Sequence, residues 1–461
     1  MRCASVFQLP ALLNGGTLRL NGDTMKSQTI LRFGIALSLL VTSTSAFSAG
    51  LEKTVMWSGK WAPLGGAAAS GVTGAESLYF NPAGLAAGKG IELSGNFSPI
   101  LSKFSAPIAG ATYDSTTGFS PSYGAFASFA PMEKWGFGIG TYASGGTTTT
   151  YKDVKLGPNT TEDVVAKLQV IEVAVGGAYE IIDGLRLGLA YRLAFANAEL
   201  SAPTPGAGGA YLFTHFDKQT DTAWNGFKLG LQYAPRESRW GAGATWRTKV
   251  AFATHGDLNG SFTAPANPLL GPLASVRYPL TSTGGGIDTS FPQQFQLAGH
   301  WEFLDRQRAF LQYDFTQYHD DEALRLQGVV ANPNIAPTPT LPTSFTVADL
   351  PLYFKNTHAA RVGYQCNSIE NWAFRAGYVL TTAASPRGSA LAALPPPGTF
   401  HTIGLGAGTS VMNGALELNG GLEYEWAKAT VEAADAPALR TYTGDYSVKA
   451  YTAHLGVGFH I

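Results

Sequence analysis

The chain has 461 residues, of which 45% are hydrophobic and only 14% charged, against about 25% charged in an average soluble domain. Its 55 glycines make up about 12% of the residues while its 26 prolines are ordinary in number, which excludes both a collagen repeat and a disordered low-complexity chain. A formal net charge of −1 offers no basic field for a phosphate backbone, so nucleic acid is not an expected partner. Mean hydropathy is only +0.03, too low for a bundle of apolar helices, so polar and apolar residues must be interleaved.

Residues 1–24 precede Met25 and read as an upstream extension from a misplaced start. From Met25 the chain has a basic start (Lys26, Arg32), an apolar run Phe33 to Val41 too short to span a bilayer, and small residues at Ala46 and Ser48. This pattern predicts a secretory signal peptide over 25–48, with a short anchoring helix as the alternative. The exported chain then keeps one cysteine, Cys366, and cannot form an internal disulfide. Residues 49–90 are rich in Gly and Ala and show no alternation. They predict either a compact plug packed inside a larger structure or a flexible tail.

From about residue 91 the period is two, the mark of strands. Leu185, Leu187, Leu189, Tyr191, Leu193 and Phe195 share one face, with Arg186 and Arg192 on the other. Phe295, Leu297, Trp301 and Phe303 alternate in the same way with Gln294, Gln296, His300 and Glu302. Strands are predicted near 91–104, 122–132, 135–146, 165–181, 185–200, 222–234, 240–256, 291–304, 309–323, 353–366, 372–383, 401–412, 415–431 and 447–461. Short turns near 131–134, 182–184, 235–239, 305–308, 367–371 and 413–414 alternate with long connections near 105–121, 147–164, 201–221, 257–290, 325–350, 384–400 and 433–446. Apolar-out alternation with one tight and one elaborate end predicts an all-β fold: a transmembrane antiparallel β-barrel of about 14 strands with an N-terminal hatch, or plug, inside its lumen. Tyr and Trp at strand ends predict interfacial girdles. The barrel is expected in the outer membrane of a Gram-negative bacterium, in contact with its lipid, and as a monomer because a closed sheet leaves no edge.

The chain ends on a strand, and His454, Gly456, Phe459 and Ile461 are similar to the C-terminal signal read by the outer-membrane barrel assembly machinery, with Ile461 in place of the commoner aromatic. Upstream, Asn81-Pro82-Ala83-Gly84-Leu85 after Leu78-Tyr79-Phe80 resembles the signature of the FadL/TodX-type outer-membrane transporters. The likeness extends to Ala49-Gly50, to Gly65 to Ala69, and to the late loop with Ser385-Pro386 and Pro395-Pro396-Pro397. It implies a fourteen-stranded barrel closed by a hatch, which takes up long-chain fatty acids or aromatic hydrocarbons. It also implies that ligand is captured by external loops and released sideways beside a kinked third strand.

Under that reading Tyr211, Leu212, Phe213 and Phe216, with Leu269, Leu270 and Leu273, are candidates for an external capture groove; packing of loops against each other is the alternative. Ser144, Gly145 and Gly146 are candidates for a lateral gate, with glycine tapering of the barrel as the alternative. Glu172, Arg186, Arg192, Lys228, Glu302, Asp314, Arg361, Arg375, Glu417, Glu423 and Glu425 are expected to face the lumen as paired charges. Arg192, Lys228, Arg361 or Arg375 could instead meet a carboxylate head group. Two other functions are weighed: a water-filled porin, disfavoured by the N-terminal segment, and an outer-membrane phospholipase or protease. For an enzyme the chain lacks G-x-S-x-G, and His255, His300, His319 and His358 have no recognisable nucleophile partner. With no Cys/His cluster and no phosphate loop, no enzyme activity, metal or cofactor is expected.

Overall fold

The computed structural model describes residues 57–157, 160–206, 209–264, 276–319, 323–332, 343–435, 437–438 and 440–461. The expected extension and signal peptide, and Leu269, Leu270 and Leu273, lie outside the described residues. Fourteen antiparallel strands form the wall: β1 (Gly90–Ile108), β2 (Gly118–Met132), β3 (Trp135–Gly157), β4 (Thr160–Ile182), β5 (Leu185–Pro205), β6 (Tyr211–Tyr233) and β7 (Trp240–Arg247), then β8 (Gln293–Leu304), β9 (Gln307–Gln317), β10 (Thr357–Cys366), β11 (Trp372–Thr381), β12 (Phe400–Val411), β13 (Leu416–Val431) and β14 (Gly444–His460). Each pairs with its neighbour in sequence, and β14 pairs with β1 from Glu92 opposite His460 to Ser105 opposite Ser447. Ile91 and Ile461 exchange both backbone hydrogen bonds at 2.9 Å, sealing the seam. Among the described residues no helix is long and apolar enough to cross a membrane.

The alternation read from the sequence sets the faces. Leu187 is 48% exposed, Leu297 64% and Leu422 68%, whereas Arg186, Gln296 and Glu423 are buried inside. Aromatic side chains ring the short-turn end, where Trp135 lies 4.7 Å from Tyr179 and Tyr233 5.6 Å from Trp240 between ring centres. A second set, including Tyr313, Tyr378 and Tyr451, stands further along the outer face. Between the two lies the apolar band that a bilayer requires.

The long connections are more regular than expected. β3 and β4 continue as one hairpin to Gly157 and Thr160, and β6 begins at Tyr211 instead of near 222. Extended segments Val250–Thr263, Gly285–Phe291 and Ala323–Ala331 carry the ladder outward from β7, β8 and β9. The expectation of loops there fails because the apolar-out pattern stops at the membrane edge, while backbone pairing does not depend on which face is greasy. The interior also departs from an all-polar lining. Towards the long-hairpin end the inward side chains Phe104, Tyr151, Leu156, Phe213, Phe216 and Phe262 form a large apolar core of their own.

Arg440 staples this outer core. Its guanidinium donates to Thr204 Oγ1 at 2.6 and 3.0 Å, to Asp349 O at 3.3 Å and to Ala348 O at 3.5 Å. Burial pulls its pKa down to about 10, opposed by the nearby Asp349 carboxylate. Removing a buried charged donor strands its acceptors, at about 1–3 kcal/mol each. Arg440→Ala is therefore expected to loosen the external hairpins while the barrel persists: limited proteolysis of intact cells should cut the variant faster, with folded-barrel mobility on unheated gels unchanged. Equal cutting of both proteins contradicts this role.

Candidate functional site

The lumen is filled by residues 57–89, almost all buried. Three short helical turns, Ala62–Leu64, Ser77–Phe80 and Pro82–Ala87, give the segment its shape. Asn81 caps the last: its Oδ1 accepts from Ala83 N at 3.1 Å, and its Nδ2 donates to Ala69 O at 2.7 Å and to Leu231 O of β6 at 3.0 Å. Pro82 takes the first helical position, where a missing N–H costs nothing. The motif thus forms a corner pressed against the wall, and the wall makes room for it. A Cβ on Gly230 would lie 2.1 Å from Asn81 Oδ1, and one on Gly188 2.3 Å from Ala83 N.

Polar side chains tie the segment to the wall around its circumference. The Glu76 carboxylate accepts from Ser58 Oγ (3.0 Å), Ser94 Oγ (2.7 Å) and Asn96 Nδ2 (2.9 Å). Gln232 Nε2 donates to Val72 O at 2.9 Å, Gln312 accepts from Ala69 N at 3.1 Å, and Lys60 pairs with Glu417 at 3.1 Å. Arg361 bridges wall and segment, donating to Asp314 and to Gly65 O, both at 2.7 Å.

The four cations considered for a carboxylate head group divide. Arg361 is held as above, and Arg375 donates to Asn419 and Gln365 at 2.7 and 3.0 Å. Arg192 and Lys228 instead share a narrow cleft with Tyr79, Phe80, Tyr142, Arg247, Gln294 and Gln296. Arg192 pairs with Glu172 at 3.2 Å, Glu172 also accepts from Tyr142 at 2.8 Å, and Lys228 donates to Tyr79 O. Arg247 went unnoticed in the sequence, although its position after outward-facing Trp246 assigns it to the lumen. The cleft holds about 10 Å³, room for about one water.

Beside the cleft the wall is interrupted. β2 and β3 pair from Met132 opposite Trp135 up to Gly124 opposite Tyr142, and the ladder then stops. The strands stay close at Gly118, where a Cβ would lie 3.2 Å from Thr148 O, and hydrogen bonding resumes at Thr116, whose N–H donates to Thr150 O at 2.8 Å. Between these levels residues 117–123 face 143–149 without ladder pairing. Pro121 has no N–H to offer, and Pro99 of β1 sits opposite it. On its far side β3 slips register against β4 between Ala143 and Gly145, and Gly146 takes a φ of 151°, which glycine alone adopts readily. Ser144, Gly145 and Gly146 thus stand at the break. The lumenal segment reaches it too: Trp57 Nε1 donates to Ala143 O at 3.1 Å. The Trp57 ring lies 4.8 Å from both Tyr79 and Phe126, and Phe126 stacks on Tyr142 at 5.6 Å.

A polar groove of about 460 Å³ includes Thr148 of the break with Lys167, Gln169, Asn197 and Glu199. A larger hollow, about 800 Å³ and lined by Leu187, Leu189, Leu229, Leu231 and Phe295, belongs to the lipid face. Of the loop candidates, Phe213 and Phe216 are buried in the outer core, and Tyr211 and Leu212 are partly buried against it.

Replacing Arg361 by Met is expected to leave Asp314, 1% exposed, as a buried unpaired carboxylate, destabilising the protein by about 3–5 kcal/mol. The double variant Asp314→Leu with Arg361→Met should recover most of that, read as thermal unfolding in detergent. A single variant as stable as the parent removes the pair from the stabilising contacts.

Residues 39–460 match the model of a family described as outer membrane protein transport protein (OMPP1/FadL/TodX). A FadL homologue from Pseudomonas aeruginosa superposes with a TM-score of 0.68 at 14% identity, covering 91% of this chain and 99% of that one. The Pseudomonas putida toluene transporter TodX gives 0.67 at 16% over 87% and 97%. The Ralstonia pickettii toluene transporter TbuX gives 0.60 at 15% over 86% and 98%. At these identities the likeness concerns the fold. No curated protein matches the chain.

Proposed function

Because the chain belongs to the outer membrane protein transport family (OMPP1/FadL/TodX), we propose that this outer-membrane barrel passively takes up hydrophobic small molecules, long-chain fatty acids or aromatic hydrocarbons. The observation that carries the reading is the slit between β2 and β3, floored by the Trp57, Tyr79, Phe126 and Tyr142 rings. An apolar molecule leaving there enters lipid without meeting the aqueous periplasm. Residues 57–89 act as the hatch: they pack across the lumen against the wall, which disfavours a general porin, and passage requires them to shift. Tyr211 and Leu212, partly exposed on the external core, form part of the capture surface, where each ligand methylene buried contributes about 0.8 kcal/mol.

The cations of the lumen have protein partners: Arg361 and Lys228 bond the hatch, while Arg192 and Arg375 pair with the wall; this favours a ligand that does not depend on a carboxylate. Arg192 and Lys228, beside the slit, are the pair available to a fatty-acid head group if the hatch withdraws. β14, with Gly456, Phe459 and Ile461, acts as the assembly signal, and the barrel works as a monomer.

Uptake by a deletion strain, complemented with the parent or with Gly145→Trp, tests the route. Complementation by the parent is expected to restore toluene uptake about ten-fold, and more strongly than oleate uptake, whereas Gly145→Trp restores neither. Full activity of a correctly folded Gly145→Trp protein eliminates sideways release, and a loss confined to oleate assigns the carboxylate class instead.

A further inference from the structure

The chemistry of the slit narrows the molecule that crosses it, an inference that rests on the sideways route proposed above. A passage serving bare hydrocarbon would be lined by apolar side chains. This one is not. Half of the fourteen residues facing each other across the break, 117–123 and 143–149, are Ser or Thr, and none carries a charge. The hydroxyls of Ser120, Ser122, Thr147 and Thr149 are at most 2% exposed, and none has a hydrogen-bond partner. Ser102 of β1, also 2% exposed, adds another such hydroxyl next to Gly118. Alternation from the exposed Phe119 turns Ser120 and Ser122 inward, and the pairing of Thr147 with inward Leu168 does the same for Thr147. The interrupted ladder adds backbone N–H and C=O groups along the same rim.

Buried hydroxyls without partners are rare because each must be hydrogen-bonded or lose free energy. Here they line one break in the ladder, near the Trp57, Phe126 and Tyr142 rings. A pure hydrocarbon sliding past strips whatever water they hold and returns nothing. A carboxylate satisfies them, but the cations nearest the rim, Arg192 and Lys167, are already paired with Glu172 and Glu199. A neutral hydroxyl group both donates and accepts, as these side chains do, while its hydrocarbon body lies on the rings. We propose that the slit selects uncharged, hydroxyl-bearing hydrocarbons, aliphatic alcohols or phenols, over the corresponding hydrocarbons and carboxylates.

The test compares uptake of dodecanol, dodecane and dodecanoate by cells of the deletion strain producing full-length parent or variants. The parent is expected to favour dodecanol. In the triple variant Ser120→Ala, Ser122→Ala, Thr147→Val the ratio of dodecanol to dodecane uptake should fall about ten-fold, and Ser120→Thr with Ser122→Thr, which keeps both hydroxyls, should preserve it. An unchanged ratio in the folded triple variant overturns the selectivity, as does a parent that favours dodecanoate. Gly145→Trp separates the two claims. If it abolishes uptake of all three probes, the route stands and the ratio alone judges the selectivity; if it abolishes none, the route itself fails.

Discussion

Inside a bilayer no water is available to satisfy a backbone N–H or C=O, and each group left over costs several kcal/mol. The fold follows from that constraint. Fourteen strands in sequential register, with β1 joined to β14, close the wall into a barrel. Where the ladder in such a wall is interrupted, specific residues have to account for it. Here Pro121 withholds a donor, Gly146 adopts a conformation costly for other residues, and Trp57 caps the freed Ala143 carbonyl. The break between β2 and β3 is thus built from specific residues on the wall and inside it, so it is a feature of the fold and not a fraying edge.

The contents of the barrel obey a complementary rule. A segment without long regular structure can be buried only if its own polar groups are answered, and the inner wall supplies Asn96, Gln232, Gln312 and Arg361 for that purpose. Small residues do the rest: Gly188 and Gly230 let the Asn81-Pro82-Ala83 corner approach to contact. Seating is therefore tight but divided among many modest bonds. That suits a part that stays in place at rest and yields to a ligand of sufficient binding energy.

Much of this was legible in the sequence, for reasons that also explain what was not. Alternation at 185–195 and 291–304 records the lipid-facing side directly, so the strand count and the inward positions of Glu172, Arg192 and Asp314 could be read from it. Above the membrane edge outward positions turn polar and inward ones apolar, as at Phe216 and Phe262, and the same pattern suggests loops where the backbone is still paired. Ser144-Gly145-Gly146 was visible as a weak point in β3. Its counterpart in β2 was not, because Ser120-Pro121-Ser122 reads as an ordinary strand start until Pro99 and Trp57 are placed beside it. Arg247 escaped although alternation within the expected 240–256 strand turns it inward, next to outward-facing Trp246.

The seam between β1 and β14 carries a consequence for biogenesis. Glu92 meets His460 across nearly the whole length of the described chain, and the lumenal segment is joined covalently to β1. Pairing at such sequence separation is slow to form, and once it is made nothing as large as residues 57–89 can be threaded in. The cork must be in the bottle before the glass is joined, so the last hydrogen bonds to form in this molecule close over an interior that has already been packed.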